Sequence, residues 1–153
     1  MRWLIVGALG VEIRPLLWRM RDVQPVGSRT HHGLHPSAPH IEITVLRCGV
    51  GPAKAQQRTS DAIRQWRPDA VLSMGTCGAL VDHLSIGDVR TVKSSFIGTD
   101  SVPPLTPLPG LEVVSLSTVD EPCWTPDRRR ELARVGAEIV EMEAAAVLDL
   151  VRD

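Results

Sequence analysis

The chain has no tyrosine and a single phenylalanine, Phe96, so its aromatic surface rests on four tryptophans. Any stacking platform for a planar ligand must come from very few side chains, and Trp124 is the candidate. Cysteine is scarce as well. Cys48, Cys77 and Cys123 are odd in number and share no close pair spacing, which argues against a zinc cluster and for independent reduced thiols. An excess of one charge is also missing: 17 Lys and Arg face 18 Asp and Glu, for a net charge of −1. That balance gives no electrostatic reason to expect nucleic acid or an anionic membrane as partner. Long apolar runs are lacking too, because Glu12 and Arg14 interrupt the apolar start too early for a signal peptide or a membrane span. The expectation is a cytoplasmic chain. Neither Gly7-Ala8-Leu9-Gly10 nor Gly49-Val50-Gly51-Pro52 has the spacing of a dinucleotide fingerprint, and no phosphate-loop Gly-Lys-Ser/Thr occurs, so no cofactor is expected.

What is present suits one globular unit. The 153 residues, 43% of them hydrophobic, are enough for a single domain with a real core. Trp3 to Val6 reads as a buried strand, followed by a glycine turn and a helix from Val11 to Met20 that tolerates Pro15 only in its first turn. Ile41 to Leu46 forms a second apolar run, and the Gly49 to Pro52 turn leads into a helix whose Ala55, Thr59, Ala62, Ile63 and Trp66 keep helical spacing. Pro68 and Asp69 end that helix, Ala70 to Ser73 is a third strand, and Gly75-Thr76-Cys77-Gly78 turns directly behind it. Three strands that each run into a glycine turn predict one layered α/β sheet. Further strands are expected from Ile86-Gly87-Asp88-Val89 toward Lys93 and from Leu111 to Leu116. Between them the stretch from Thr99 to Gly110, with Pro103, Pro104, Pro107 and Pro109, reads as a surface loop. Gly27 to His40 reads as the other long loop. Thr125 and Pro126 are the N-cap and first residue of a helix that Val135-Gly136 ends. A last short strand covers Ala137 to Val140, and a final helix runs from Glu143 to Asp153.

Ligands of open α/β sheets gather at the carboxyl ends of strands, and every candidate motif falls at such an end. Gly75 to Gly78 lets backbone N–H groups approach an anion or a hydroxyl, and Thr76 adds its own hydroxyl. The same glycines are also ordinary turn formers. Glu12 opens its helix, where a carboxylate suits the macrodipole and can also activate water. Glu141 and Glu143 share a face only on a strand; once the backbone turns helical they diverge, so only one reaches a given pocket, and that one is Glu143. Apolar residues precede Glu143 and alanines follow it, so it is expected to be buried and to need partners. Two sugar hydroxyls would satisfy it; its alternative role is to cap the helix. His31, His32, His35 and His40 sit in a loop with no carboxylate or thiol at ligand spacing, which disfavours a metal. Arg128-Arg129-Arg130 reads as a solvated helix face. Cys77 beside His83 lacks an orienting group for a nucleophile.

The strings Ile5-Val6-Gly7-Ala8 with Glu12, Cys48 to Ala55, Gly75 to Leu80 with Ile86-Gly87-Asp88-Val89, and Val140 to Ala146 occur in an order that resembles the nucleoside phosphorylase and nucleosidase superfamily. Within it the chain is most similar to the 5′-methylthioadenosine/S-adenosylhomocysteine nucleosidases. The resemblance implies a three-layer α/β/α fold with a central mixed sheet, and cleavage of the N-glycosidic bond of a 5′-modified adenine nucleoside. It assigns Glu12 to water activation as the catalytic residue, Glu143 to the ribose hydroxyls and Met142 to packing on the ribose. Thr76, Cys77, Gly78, Glu141 and Trp124 complete the expected substrate-binding set, with Ser117 to Trp124 at the base. No metal is implied. The chain departs from the family pattern in lacking the general-acid aspartate, and with it the last strand and helix, and in the short Thr99 to Gly110 segment. Arg14 and Arg47 could serve a phosphate, but a carboxylate at Glu12 repels phosphate and favours water. The rival expectations are a non-catalytic nucleoside-binding relative and a phosphate-dependent phosphorylase. A homo-oligomer is expected, acting on a small-molecule nucleoside.

Overall fold

The hydrophobic pattern of the first strand dictates its surroundings. The structure, a computed structural model, describes residues 1–102 and 105–151. Its first strand, β1 (Arg2–Gly7), alternates Leu4 and Val6 on one face with Ile5 on the other, all three buried. A strand apolar on both faces needs cover on both. Helix α1 (Gly10–Arg19) supplies Ile13, Leu16 and Leu17 to the cluster around Ile5, Ile43 and Val45. Two later elements, β4 (Ala38–Arg47) and helix α2 (Pro52–Trp66), pack with Leu4 and Val6 through Leu46, Ala55 and Ala62. Strands β2 (Arg21–Gly27), β3 (Thr30–His35) and β5 (Ala70–Ser73) complete a five-stranded sheet in the order β2-β3-β4-β1-β5. Strands β4, β1 and β5 are parallel, whereas β2 and β3 form an antiparallel hairpin that extends the sheet past β4. These residues form one compact unit, 1–76, joined by the segment from Ala146, which contributes Val147 to the core of Leu4 and Val6.

Residues 77–145 form a second compact unit with its own five-stranded sheet. It comprises β6 (Gly78–Ala79), β7 (Thr91–Ile97), β8 (Asp100–Val102), β9 (Val113–Thr118) and β10 (Ile139–Glu141), in the order β6-β10-β9-β7-β8. Its three central strands are parallel and both edges antiparallel. Helix α3 (Pro126–Arg134) packs Leu132 with Val119 and Ala137 on this sheet. Thr125 caps it, its hydroxyl oxygen accepting the Arg128 N–H at 3.3 Å, with Pro126 in the first turn as expected. Helix α4 (Ala144–Leu148) follows β10, and a short 3-10 turn covers Asp149–Val151.

The α/β class stands, but several local expectations change. The strands divide between two mixed sheets rather than joining one. Pro15 lies in the interior of α1, beyond the first turn. Its missing N–H would have bonded the carbonyl of Val11, a residue two-thirds exposed to solvent. Gly27 to His40 is mostly hairpin rather than loop. Imidazoles do there what apolar side chains usually do: His32 stacks on the Trp66 indole with centroids 5.8 Å apart and planes 10° from parallel. Ile86 to Val89 is a turn, fixed where the Asp88 carboxylate accepts the Ser85 N–H at 2.9 Å and pairs with Arg90, and β7 starts only at Thr91. The Thr99 to Gly110 stretch contains the short edge strand β8. Pro103, Pro104, Arg152 and Asp153 lie outside the described residues.

Candidate active site

In the first unit, the end of β1, the start of α1 and the exit of β5 meet at Glu12. Strands β1 and β5 are neighbours in parallel register, so the segment after Ser73 leaves the sheet beside the Gly7 turn, and Met74 donates its N–H to the Val6 carbonyl at 2.9 Å. Glu12 Oε2 accepts the Leu9 N–H at 2.8 Å, while the Glu12 N–H bonds the Leu9 carbonyl at 3.2 Å. This reciprocal pair closes the helix start. Glu12 Oε1 reaches outward and accepts both the N–H of Thr76 at 2.9 Å and its hydroxyl at 2.8 Å. Three donors therefore fix one partly exposed carboxylate in a single orientation. Two glycines make the approach possible. A Cβ on Gly7 would lie 2.6 Å from Ile13 Cγ2, and one on Gly75 would lie 3.2 Å from Glu12 Oε1. The macrodipole role and the contact with the Gly75-Thr76 turn are thus both present in one residue.

In the second unit, the register of β9 with β10 sets Thr118 beside Glu141. The Thr118 hydroxyl donates to Glu141 Oε1 and accepts the Ala145 N–H at 3.1 Å. Glu141 Oε2 accepts the N–H groups of Glu143 and Ala144, each at 2.7 Å. Burial pushes the Glu141 carboxyl above its usual range. The bonds from Thr118, Glu143 and Ala144 pull it back down, and the nearby charge of Glu143 raises it again. The capping function that the sequence suggested for Glu143 is performed by Glu141. Met142 packs with Val119, Leu132, Val140 and other members of the second core.

The remaining candidates fall as follows. Cys77 is an exposed residue, yet partial burial of its sulfur, and secondarily the Glu141 charge, raises its thiol above the ordinary value. A raised thiol is a poor nucleophile at neutral pH. Gly78 belongs to β6 and pairs with Val140, whose Cγ1 would lie 3.3 Å from a Cβ added there, so close strand packing explains this glycine. Trp124 precedes the α3 cap and is 84% exposed. Ser117 is fully buried, its hydroxyl donating to the Gly98 carbonyl at 2.7 Å. Arg128 and Arg130 pair with Glu131 and Asp127 on the α3 surface, whereas Arg129 bonds the Ala79 carbonyl at 2.6 Å. Arg14 is exposed, and the Arg47 guanidinium lies 3.7 Å from the position of a Gly10 Cβ, at the start of α1. Among the described residues no three His, Cys, Asp or Glu side chains are grouped to hold a metal ion, and no helix is long and apolar enough to cross a membrane. Two clefts in the first unit, of about 300 and 250 Å³, are both lined in part by Gln65 and Trp66, and Glu12 lines neither.

The residue missed in the sequence is Thr118. It lay inside the Ser117 to Trp124 stretch, but its function depends on Glu141 being its neighbour across two strands, 23 positions along the chain.

A family model described as the phosphorylase superfamily matches residues 2–110. The 5′-methylthioadenosine/S-adenosylhomocysteine nucleosidase of Shewanella loihica is 34% identical over 88 residues, which cover 56% of this chain and 37% of that protein. The enzyme of the same name from Chromohalobacter salexigens is 32% identical over 89 residues, covering 56% of this chain and 36% of that protein. The matched stretch thus spans little more than a third of these relatives. Among solved structures, the nucleosidase of Neisseria meningitidis in complex with methylthio-immucillin-A superposes with a TM-score of 0.81 at 21% identity, over 97% of this chain and 78% of that one. Futalosine hydrolase of Helicobacter pylori gives 0.79 at 20% identity, over 98% and 78%. At such identities the likeness concerns the fold.

Proposed function

The chain belongs to the phosphorylase superfamily, and from that premise we propose that it hydrolyses the N-glycosidic bond of an adenine nucleoside with a modified 5′ position. The observation that carries this reading is the Glu12 carboxylate, held by Leu9 and by both donors of Thr76 at the ends of β1 and β5. A carboxylate fixed in this way can take a proton from water as that water attacks C1′ of the sugar, while the bond from C1′ to the base nitrogen breaks and its electron pair leaves with the base, which takes up a proton from solvent. The ribosyl group passes through a state with oxocarbenium character, and an anionic Glu143 at the ribose hydroxyls stabilises the growing positive charge. Met142 packs on the ribose in this reading, and Trp124 serves the base. Relatives named for the hydrolysis of methylthioadenosine, S-adenosylhomocysteine and futalosine support the substrate class.

Water rather than phosphate is the nucleophile in this account, because the Glu12 charge repels a phosphate dianion. Three cysteines, odd in number and without close pair spacing, fit a reducing, cytoplasmic setting, and the proposed working form is a homo-oligomer. Free adenine released from 5′-methylthioadenosine in phosphate-free buffer tests the proposal. Release at an undiminished rate without phosphate is expected; strict dependence on phosphate, with a sugar 1-phosphate as product, overturns it.

A further inference from the structure

We infer that Glu141 is a positioning residue, which together with Thr118 fixes the backbone from which Glu143 projects. The inference rests on the proposed role of Glu143 at the ribose. The first N–H groups of a helix have no partner inside it. At the start of α4 three successive N–H groups, of residues 143, 144 and 145, are instead taken by two side chains: Glu141 Oε2 accepts two at 2.7 Å and Thr118 Oγ1 accepts the third at 3.1 Å. The two side chains are themselves bonded through the Thr118 hydroxyl and Glu141 Oε1, so the three anchors move as one.

The expense of this arrangement points to function rather than to capping alone. A serine or aspartate directly before a helix caps it from the surface, whereas here the cap is a half-buried carboxylate whose desolvation is offset in part by the bonds it accepts. Helix α4 is five residues long and opens with three alanines, which offer no polar side chain to hold its first turn. The direction of the residue 143 side chain then depends on the backbone bonds at 143 and 144, and these go to Glu141. The Glu141 bonds go to the backbone N–H groups of residues 143 and 144, and through them Glu141 acts on Glu143.

The test compares two probes by calorimetry: a C-nucleoside analogue of adenosine, whose base cannot leave, and its 2′,3′-dideoxy counterpart. The wild-type chain should prefer the ribo form. In Glu141→Ala that preference should fall about tenfold, the scale of one charge-assisted hydrogen bond, while dideoxy affinity stays unchanged. Glu141→Gln should restore most of it, because its amide oxygen accepts the same two N–H groups. Thr118→Val, nearly isosteric, should lose about threefold, and it decides the matter if Glu141→Ala does not fold by circular dichroism. Equal weakening of both probes, or an unchanged preference, overturns the positioning role and leaves the functional reading standing. A wild-type chain with no preference for the ribo form overturns the functional reading, and this inference with it.

Discussion

The two compact units solve the same problem with different chemistry. In the first, the strands bury Leu4, Ile5, Val6, Ile43 and Val45, and among the described residues Thr44 is the one buried hydroxyl in the sheet. In the second, hydroxyls occupy the sheet itself: Thr91, Ser95, Ser117 and Thr118 are all buried. Most of them are bonded, Ser117 to Gly98, Thr91 to the Leu108 N–H at 2.8 Å and Thr118 to Glu141. Their carboxylates differ in what they hold. Glu12 gives one oxygen to its own helix and turns the other to a neighbouring strand end, whereas Glu141, half-buried as Glu12 is, gives both oxygens to the main chain and Thr118. Each carboxylate holds three donors from the chain, and the two are told apart by what those donors belong to: a neighbouring strand end for Glu12, the start of α4 for Glu141.

The largest effect should come from removing the charge on the first of these acids. Glu12→Gln keeps an acceptor for Leu9 but loses the base, and adenine release should fall about 10²- to 10⁴-fold with little change in melting temperature. Next in size, the contrast between the two sheets should appear in denaturant unfolding. Leu4→Ala should cost about 2–5 kcal/mol, whereas Ser117→Ala, which leaves the Gly98 carbonyl without its donor, should cost about 1–3 kcal/mol. Similar costs for both would blur the distinction. Thr76→Val removes one of the two donors on Glu12 Oε1 and should slow turnover about tenfold, with substrate affinity nearly unchanged; a wild-type rate would show that Leu9 and the Thr76 N–H suffice. The smallest effect concerns pH. The Glu141 carboxyl is raised in the folded chain, so folding binds its proton more tightly than the unfolded chain does. The stability this group contributes is full below the ordinary carboxylate range and is lost as pH rises through the raised value. Melting curves should show the wild type gaining on Glu141→Gln as pH drops from 7 into that range, and a constant gap would deny the shift.

Local signals made much of this fold legible. β1, α2, β5 and α3 lie within a residue or two of their sequence-based limits, because apolar β-branched runs, Pro52 and the Thr125-Pro126 pair act over a few residues. The β2–β3 hairpin was hidden because its faces carry imidazoles instead of an apolar alternation, with Gly33 close against Met20 and the Arg21 carbonyl. The division into two sheets was hidden for a different reason: a sequence pattern announces strands but not which strands are neighbours. The candidate site shows the same boundary. Glu12, Thr76, Glu141 and Glu143 could be singled out by type and place, yet the Glu12 bonds to Thr76 span 64 positions and need β1 beside β5. Likewise, the internal engagement of Glu141 needs Thr118 to be its partner in register.

The central claim is that a Glu12 carboxylate, oriented by Thr76, turns water against a nucleoside. It is tested most directly by chromatographic product analysis after incubating 5′-methylthioadenosine with the wild-type chain and with Glu12→Gln, both free of phosphate. The account predicts adenine and the free sugar from the wild type and neither from the variant above background; equal release by the two proteins would contradict it.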